Sequence, residues 1–320
     1  MKILLTHSPE ALRLYYGERA LAGLVKLGEV KINSSDTSLQ DEALVAAGAE
    51  CDLIISYRQS PAPAALFERL PKLKAFLRCA IDIRNIDVAA ASRAGVLVTQ
   101  ASAGFVTAVS ELVLGFLVDL ARGITISASS YRNNQLPPAR MGKELKGSTL
   151  GVIGYGAIGK EVVRLGKALG MRVLIHDPYQ PVEQVPLDKL LKESDYVVPL
   201  AVASAETENL IGKEAFSRMK RGAYLINVSR GNLVDEAALE AALDSGRLAG
   251  CALDVGRAPD QMPAPRLAAR ADVIATPHAA GLTLPAIEHQ SLETVAQAAE
   301  IIKGRVPKGA VNYEHWTRRP

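Results

Sequence analysis

The sequence predicts an α/β protein of two domains, each built on a parallel sheet, with a cleft between them. Three observations carry this. A chain of 320 residues is longer than one ordinary core fills and suits two α/β domains. Short apolar runs alternate with amphipathic helical stretches along its length, and strands separated by helices pair in parallel. The alternation breaks once, near Ser102, at a long helical stretch, and restarts at "TLGVIGYG" (149–156).

In the first series, "KILLT" (2–6) reads as a strand, and Ser8 and Pro9 then start a helix as cap and first residue. Further strands are "DLIIS" (52–56), "LKAFLR" (73–78) and "GVLVTQ" (95–100), separated by "LQDEALVAAG" (39–48) and "IDVAAASRAG" (86–95). The helix at 104–123 has an apolar face wide enough to be buried between two domains. A polar loop follows at 132–148. The second series has strands at 172–177, 196–201, 223–229, 250–255 and 272–278. A last amphipathic helix spans 284–304, and "VPKGAVN" (306–312) returns to the first domain. The first domain is thus discontinuous, 1–101 plus 285–320, with the second, 102–284, inserted.

Hydrophobic residues at 48% and charged residues at 22% describe an ordered globular chain. The net charge is +3 and no Lys/Arg run reaches five residues. Nothing here points to nucleic acid or a membrane surface, and Arg318 and Arg319 read as a solvated tail. The apolar stretch 111–121 contains Glu111 and Asp119 and is far short of the roughly 20 residues that span a bilayer. The N-terminus does not read as a signal peptide. Cys51, Cys79 and Cys251 are odd in number and far apart. They offer no disulfide framework and no metal-ligand pattern, and suit buried thiols in a reducing cytoplasm.

"GVIGYGAIGKEVV" (151–163) carries Gly154, Gly156 and Gly159 as GxGxxG after an apolar strand and at the opening of a helix. Such glycines allow a tight turn and let backbone N–H groups approach a pyrophosphate at the helix N-terminus. Asp177 ends the next strand about 20 residues on, where an acid accepts hydrogen bonds from the adenosine ribose. A carboxylate there repels a 2′-phosphate, so the expected cofactor is NAD rather than NADP.

Three later strand ends carry the remaining chemistry. Arg230 leaves its strand at a turn opened by Gly231, and an arginine fork suits a planar carboxylate. His278 follows the last strand, and an imidazole gives or takes the proton of a hydroxyl near neutrality. Asp254 ends the strand of "GCALDV" (250–255).

Taken together, "GYGAIGKEV", "INVSRGNLVDEAAL", "LDV" and "TPHAAG" resemble the NAD-dependent D-2-hydroxyacid dehydrogenases, the group that includes phosphoglycerate dehydrogenase. "NIDVAAASRAGVLV" (85–98), "TAVSE" (107–111) and "AVN" (310–312) match its substrate domain and hinges. The resemblance implies two Rossmann-like domains, hydride transfer between NAD and a small 2-hydroxy or 2-keto acid, and a cytoplasmic homodimer. It implies that Arg230 orients the substrate and that His278 is the acid/base. It places Gly154, Gly156, Ala157, Ile158 and Gly159 on the pyrophosphate, Asp177 on the ribose, and Asp254 and Thr107 near the nicotinamide, with Val228 and Ser229 also on the cofactor. The substrate loop falls on Arg78 to Asp82, with Ile81 and Asp82 at the substrate carboxylate. Apart from the resemblance, Arg58 in "SYRQS" and Arg78 have two readings: a contact with an acidic or phosphorylated side group, or a place on the surface.

The family usually pairs its histidine with a glutamate five residues after the strand aspartate. Here that position is Pro259, and the nearest acid is Asp260, one residue late and one methylene short. Asp82, Arg84 and Val202 also depart from the family pattern and imply an unusual substrate pocket. Two rivals follow. One is an NAD-sensing binding or corepressor-like protein with little turnover, favoured by the missing glutamate. The other is a nicotinamide-dependent hydrolase of the adenosylhomocysteinase kind, which needs a longer chain.

Overall fold

Alternate residues of the early strands go to opposite faces, and that alternation builds the first unit. The computed structural model describes the backbone of residues 1–320 and every side chain except that of Asp260. Strands β1 (Lys2–Leu5), β2 (Glu29–Ile32), β3 (Leu53–Ser56), β4 (Ala75–Arg78) and β5 (Leu97–Gln100) form a parallel sheet in the order β2-β1-β3-β4-β5. Leu4, Ile54, Phe76 and Val98 feed one core layer with Leu66, Phe67 and Leu70. Ile3, Ile55, Leu77 and Leu97 feed the layer on the other face, with Tyr16, Leu24 and Trp316. Both faces are covered, as a parallel sheet requires.

The C-terminal segment belongs to this unit. The helix Leu284–Ile302 adds Ala298 and Ile301 to the second layer and packs on the helix Glu18–Val25 and on β4. Asn312 then stitches the returning chain to β5: its Nδ2 donates to Val96 O at 2.9 Å and its Oδ1 accepts from Val98 N at 2.8 Å.

The second unit is a six-stranded parallel sheet of β6 (Thr149–Ile153), β7 (Arg172–His176), β8 (Tyr196–Pro199), β9 (Ala223–Asn227), β10 (Leu248–Leu253) and β11 (Val273–Ala275), in the order β11-β10-β9-β8-β6-β7. The order reverses between β6 and β8, and ligands bind at the carboxyl ends of strands beside such a switch point. The two units comprise Met1–Phe105 with Leu282–Pro320, and Val106–Gly281. The long helix, Val106–Arg122, opens the second unit. It lies wholly in the second unit, where its apolar face packs on the helix Ala157–Ala168 and on β9 and β10. Gly123, at φ +65, ends it in a left-handed turn. No single helix among the described residues is long and apolar enough to cross a membrane.

Candidate active site

The three motif glycines each have a separate physical reason. Gly154 sits at φ +101, and a Cβ there would lie 2.6 Å from Leu200 C and 2.7 Å from Ala201 N. A Cβ on Gly159 would lie 2.2 Å from Gly154 O, so the helix Ala157–Ala168 packs on the loop only with glycine there. Gly156 meets nothing within 4 Å and opens on free space. It is also the N-cap, and no side chain caps the helix. The first intrahelical bond is Lys160 N to Gly156 O, 2.9 Å. The amides of Ala157, Ile158 and Gly159 precede it and lack intrahelical acceptors by helix geometry. Donors, dipole and open space fit a dinucleotide pyrophosphate.

Asp177 follows β7, and its carboxylate is turned toward the glycine loop. Oδ2 accepts from Tyr155 N at 2.7 Å and Oδ1 from Tyr179 N at 2.9 Å. This fixes an anion beside the pyrophosphate cradle, at the position expected for a ribose acceptor.

Arg230 is positioned by the end of β9. Asn227, buried, donates from Nδ2 to Arg230 O at 3.0 Å and accepts on Oδ1 from Ser229 N at 3.1 Å. The turn is packed against its neighbour, since a Cβ on Gly231 would lie 2.2 Å from Gly256 O. Arg230 is half-buried, with Nη1 donating to Ser229 O at 2.8 Å. Val228 is buried and Ser229 half-buried in the same turn. Thr107 is exposed in the first turn of Val106–Arg122.

Asp254 directly follows β10, at the strand end where the sequence places it. The residue is 0% exposed and its carboxylate is committed to the loop after β11. Oδ1 accepts from Thr276 Oγ1 at 2.5 Å and Ala279 N at 2.8 Å, and Oδ2 accepts from Ala280 N at 2.9 Å. Its backbone oxygen accepts from His278 N at 2.9 Å. The physical reason is the turn itself: His278 is held at φ +54, a left-handed conformation that non-glycine residues seldom adopt. Four bonds to one buried residue hold it there.

The loop beyond Asp254 is tied down by Arg257. Its Nη2 donates to Glu208 Oε1 at 2.7 Å, Asn209 Oδ1 at 2.6 Å and Asn232 O at 3.1 Å. It thereby joins this loop to the Arg230 turn. Pro259 opens a short 3₁₀ turn, Pro259–Gln261. The side chain of Asp260, the expected partner of His278, lies outside the described residues.

In the first unit the structure corrects Arg78. It is 0% exposed, and its guanidinium is used internally: Nη1 donates to Tyr57 O at 2.5 Å, and Nη2 donates to Ser60 O at 3.1 Å and Asn85 Oδ1 at 2.6 Å. It braces the loops after β3 and β4 instead of meeting a substrate group. Asp82 is bound locally by Arg84, whose Nε and Nη2 reach its oxygens at 3.0 and 2.6 Å. Two of those three departures from the family pattern, Asp82 and Arg84, are thus one ion pair. Ile81 is 37% exposed beside it. Arg58 is half-buried, its Cζ 5.4 Å from the Tyr15 ring centroid and 5.8 Å from that of Tyr57. Sequence reasoning missed His7, which follows β1 and packs against Tyr16 and Tyr57 with both ring centroids at 5.2 Å. Burial, then the Arg78 charge, lowers its pKa to about 3, so this imidazole is neutral. Its one sequence signal is a histidine just past a strand end.

One edge of the second sheet therefore gathers the glycine loop, Asp177, Arg230, Asp254 and His278 from the ends of five strands. Arg58, Arg78, Ile81 and Asp82 gather separately at the ends of β3 and β4. A sequence profile described as "D-isomer specific 2-hydroxyacid dehydrogenase, NAD binding domain" matches residues 114–280. The chain is also 32% identical over 324 residues to a glyoxylate reductase of Korarchaeum cryptofilum (strain OPF8), which covers 95% of each chain. The chain belongs to the D-isomer specific 2-hydroxyacid dehydrogenase family.

This dehydrogenase is also 32% identical over 305 residues to a D-3-phosphoglycerate dehydrogenase of Methanocaldococcus jannaschii, covering 92% of its own chain and 57% of that relative. It thus spans little more than half of the longer enzyme. Among solved structures it matches the TT0316 protein of Thermus thermophilus with a TM-score of 0.89 at 29% identity, over 97% of this chain and 100% of that one. The dehydrogenase is an NAD-dependent oxidoreductase, and the cradle, acid, arginine and histidine all lie in the unit the profile covers.

Proposed function

We propose that this dehydrogenase interconverts a small D-2-hydroxy acid and its 2-keto acid, preferring NAD to NADP, with Arg230 as carboxylate clamp and His278 as acid/base. The observation that carries this reading is the commitment of buried Asp254 to the His278 loop. A strained backbone held by several bonds is a feature of sites that fix one reacting group. When bound, NADH supplies the hydride that C2 of the keto acid accepts. Arg230 holds the substrate carboxylate by its planar fork. His278 gives its ring proton to the C2 oxygen, and takes it back when the hydroxy acid is oxidised. Asp260 is proposed as the carboxylate beside His278 where the family's glutamate is replaced by Pro259, and Asp254 acts by holding the loop. Backbone N–H groups near Ile81 and Asp82 serve the substrate carboxylate.

The relatives' names frame the substrate. One is a glyoxylate reductase, for a substrate with no side chain, and another a D-3-phosphoglycerate dehydrogenase, for one with a phosphate. The test follows NADH absorbance with glyoxylate, pyruvate, hydroxypyruvate and 3-phosphohydroxypyruvate, and then the reverse reaction with D and L hydroxy acids. Turnover of at least one keto acid and selectivity for the D form support the reading. NADH binding with no turnover of any of them would favour the binding-only protein instead.

A homodimer is part of the same proposal. The helix Ile124–Arg132 and the loop after it expose large apolar residues within one segment: Tyr131 at 62%, Leu136 at 88% and Met141 at 95%. Patches of this kind mark protein contacts. Light scattering should give about twice the chain mass, and Leu136→Asp with Met141→Asp should give one chain mass. A monomeric unmodified protein would reject the dimer. The free, buried Cys51, Cys79 and Cys251 support a reducing, cytoplasmic setting.

A further inference from the structure

We infer that Glu206, held by Tyr179, is a second residue that rejects a 2′-phosphate on the cofactor ribose. The inference rests on the proposed reading that Asp177 faces that ribose.

The geometry starts at Asp177. Its Oδ1 accepts from Tyr179 N at 2.9 Å, so Tyr179 begins from the same carboxylate that marks the ribose position. The Tyr179 side chain is 77% exposed and reaches across to the loop after β8. There its hydroxyl donates to Glu206 Oε2 at 3.1 Å. The bond to Glu206, the charge of Glu206 and, last, that of Asp177 raise the hydroxyl's pKa, so the phenol remains a donor.

Glu206 is placed by its own loop. Thr207 Oγ1 accepts from Ser204 N at 2.8 Å and donates to Val202 O at 2.6 Å, which folds residues 202–207 into a compact turn. The start of that loop is pressed on the glycine motif, since the missing Cβ of Gly154 would meet Leu200 and Ala201 backbone. The loops after β6, β7 and β8 thus form one rim. It carries carboxylates at Asp177 and Glu206, with Tyr179 bonded to both. A ribose with free hydroxyls finds acceptors there. A 2′-phosphate adds negative charge within the range at which two fixed carboxylates repel it through water.

The experiment measures equilibrium Kd for NADH and NADPH on the whole protein without substrate, from the fluorescence of the reduced nicotinamide. Glu206→Gln keeps an acceptor for Tyr179 and removes the charge. Its NADPH Kd should fall about 3–10-fold, the scale of one screened charge pair, with NADH Kd changed less than about twofold. Tyr179→Phe releases Glu206 and should give a smaller change in the same direction. If Glu206→Gln leaves the NADPH-to-NADH ratio of Kd values where it was, while the unmodified protein prefers NADH, the role of Glu206 is overturned. If the unmodified protein binds both cofactors equally, the reading of Asp177 falls, and this inference with it.

Discussion

Arg230→Lys should lower kcat/KM for the keto acid by roughly 30- to 1,000-fold, the scale of about 2–4 kcal/mol for one preorganised donor. Lysine keeps the charge and loses the fork. The turn will not reshape itself to compensate, because Asn227 fixes both Arg230 O and Ser229 N and Gly231 is pressed against Gly256. The NADH Kd should stay within about twofold, since the pyrophosphate cradle is at another strand. Steady-state kinetics with a cofactor titration measures both. An unaltered kcat/KM would remove Arg230 from the substrate.

Asp254→Asn should lower stability by about 2–4 kcal/mol and kcat by roughly 100-fold. One oxygen becomes an NH₂ group that faces a donor, either Ala280 N on one side or Thr276 Oγ1 and Ala279 N on the other. Losing charge-assisted bonds at a buried site costs on the order of 1.5–3 kcal/mol each. The His278 backbone, at φ +54, then relaxes, and misplacing a catalytic group by about 1 Å costs on the order of 100-fold. Thermal unfolding and kcat measure the two effects. A variant with lowered Tm and full kcat would make Asp254 a stabilising residue only.

What could be read from the sequence depended on how local its cause was. The central strands β3 and β4 are legible because both faces are buried and every residue in "LIIS" and "AFLR" is inside. β2, "EVKI", was missed because it is an exposed or half-exposed edge strand without an apolar run. The glycine loop is legible because its steric reasons lie within one turn and its neighbouring strand. The roles of Asp254 and Arg78 are not. An aspartate or arginine at a strand end reads as a ligand group, and only tertiary placement shows that Asp254 reaches 22 to 26 residues ahead or that Arg78 reaches Tyr57 and Ser60. His7 was hidden for the same reason, since its tyrosine neighbours come from two separate loops.

The central claim is that His278 moves the proton in a 2-keto acid reduction. The most direct measurement is NADH oxidation by the best keto acid from the panel, with unmodified protein and with His278→Gln, beside the NADH Kd of each. The account predicts turnover in the unmodified protein, a loss of roughly 100- to 10,000-fold in kcat for His278→Gln, the scale of one general acid, and an NADH Kd changed less than about twofold. Full turnover by His278→Gln would contradict it.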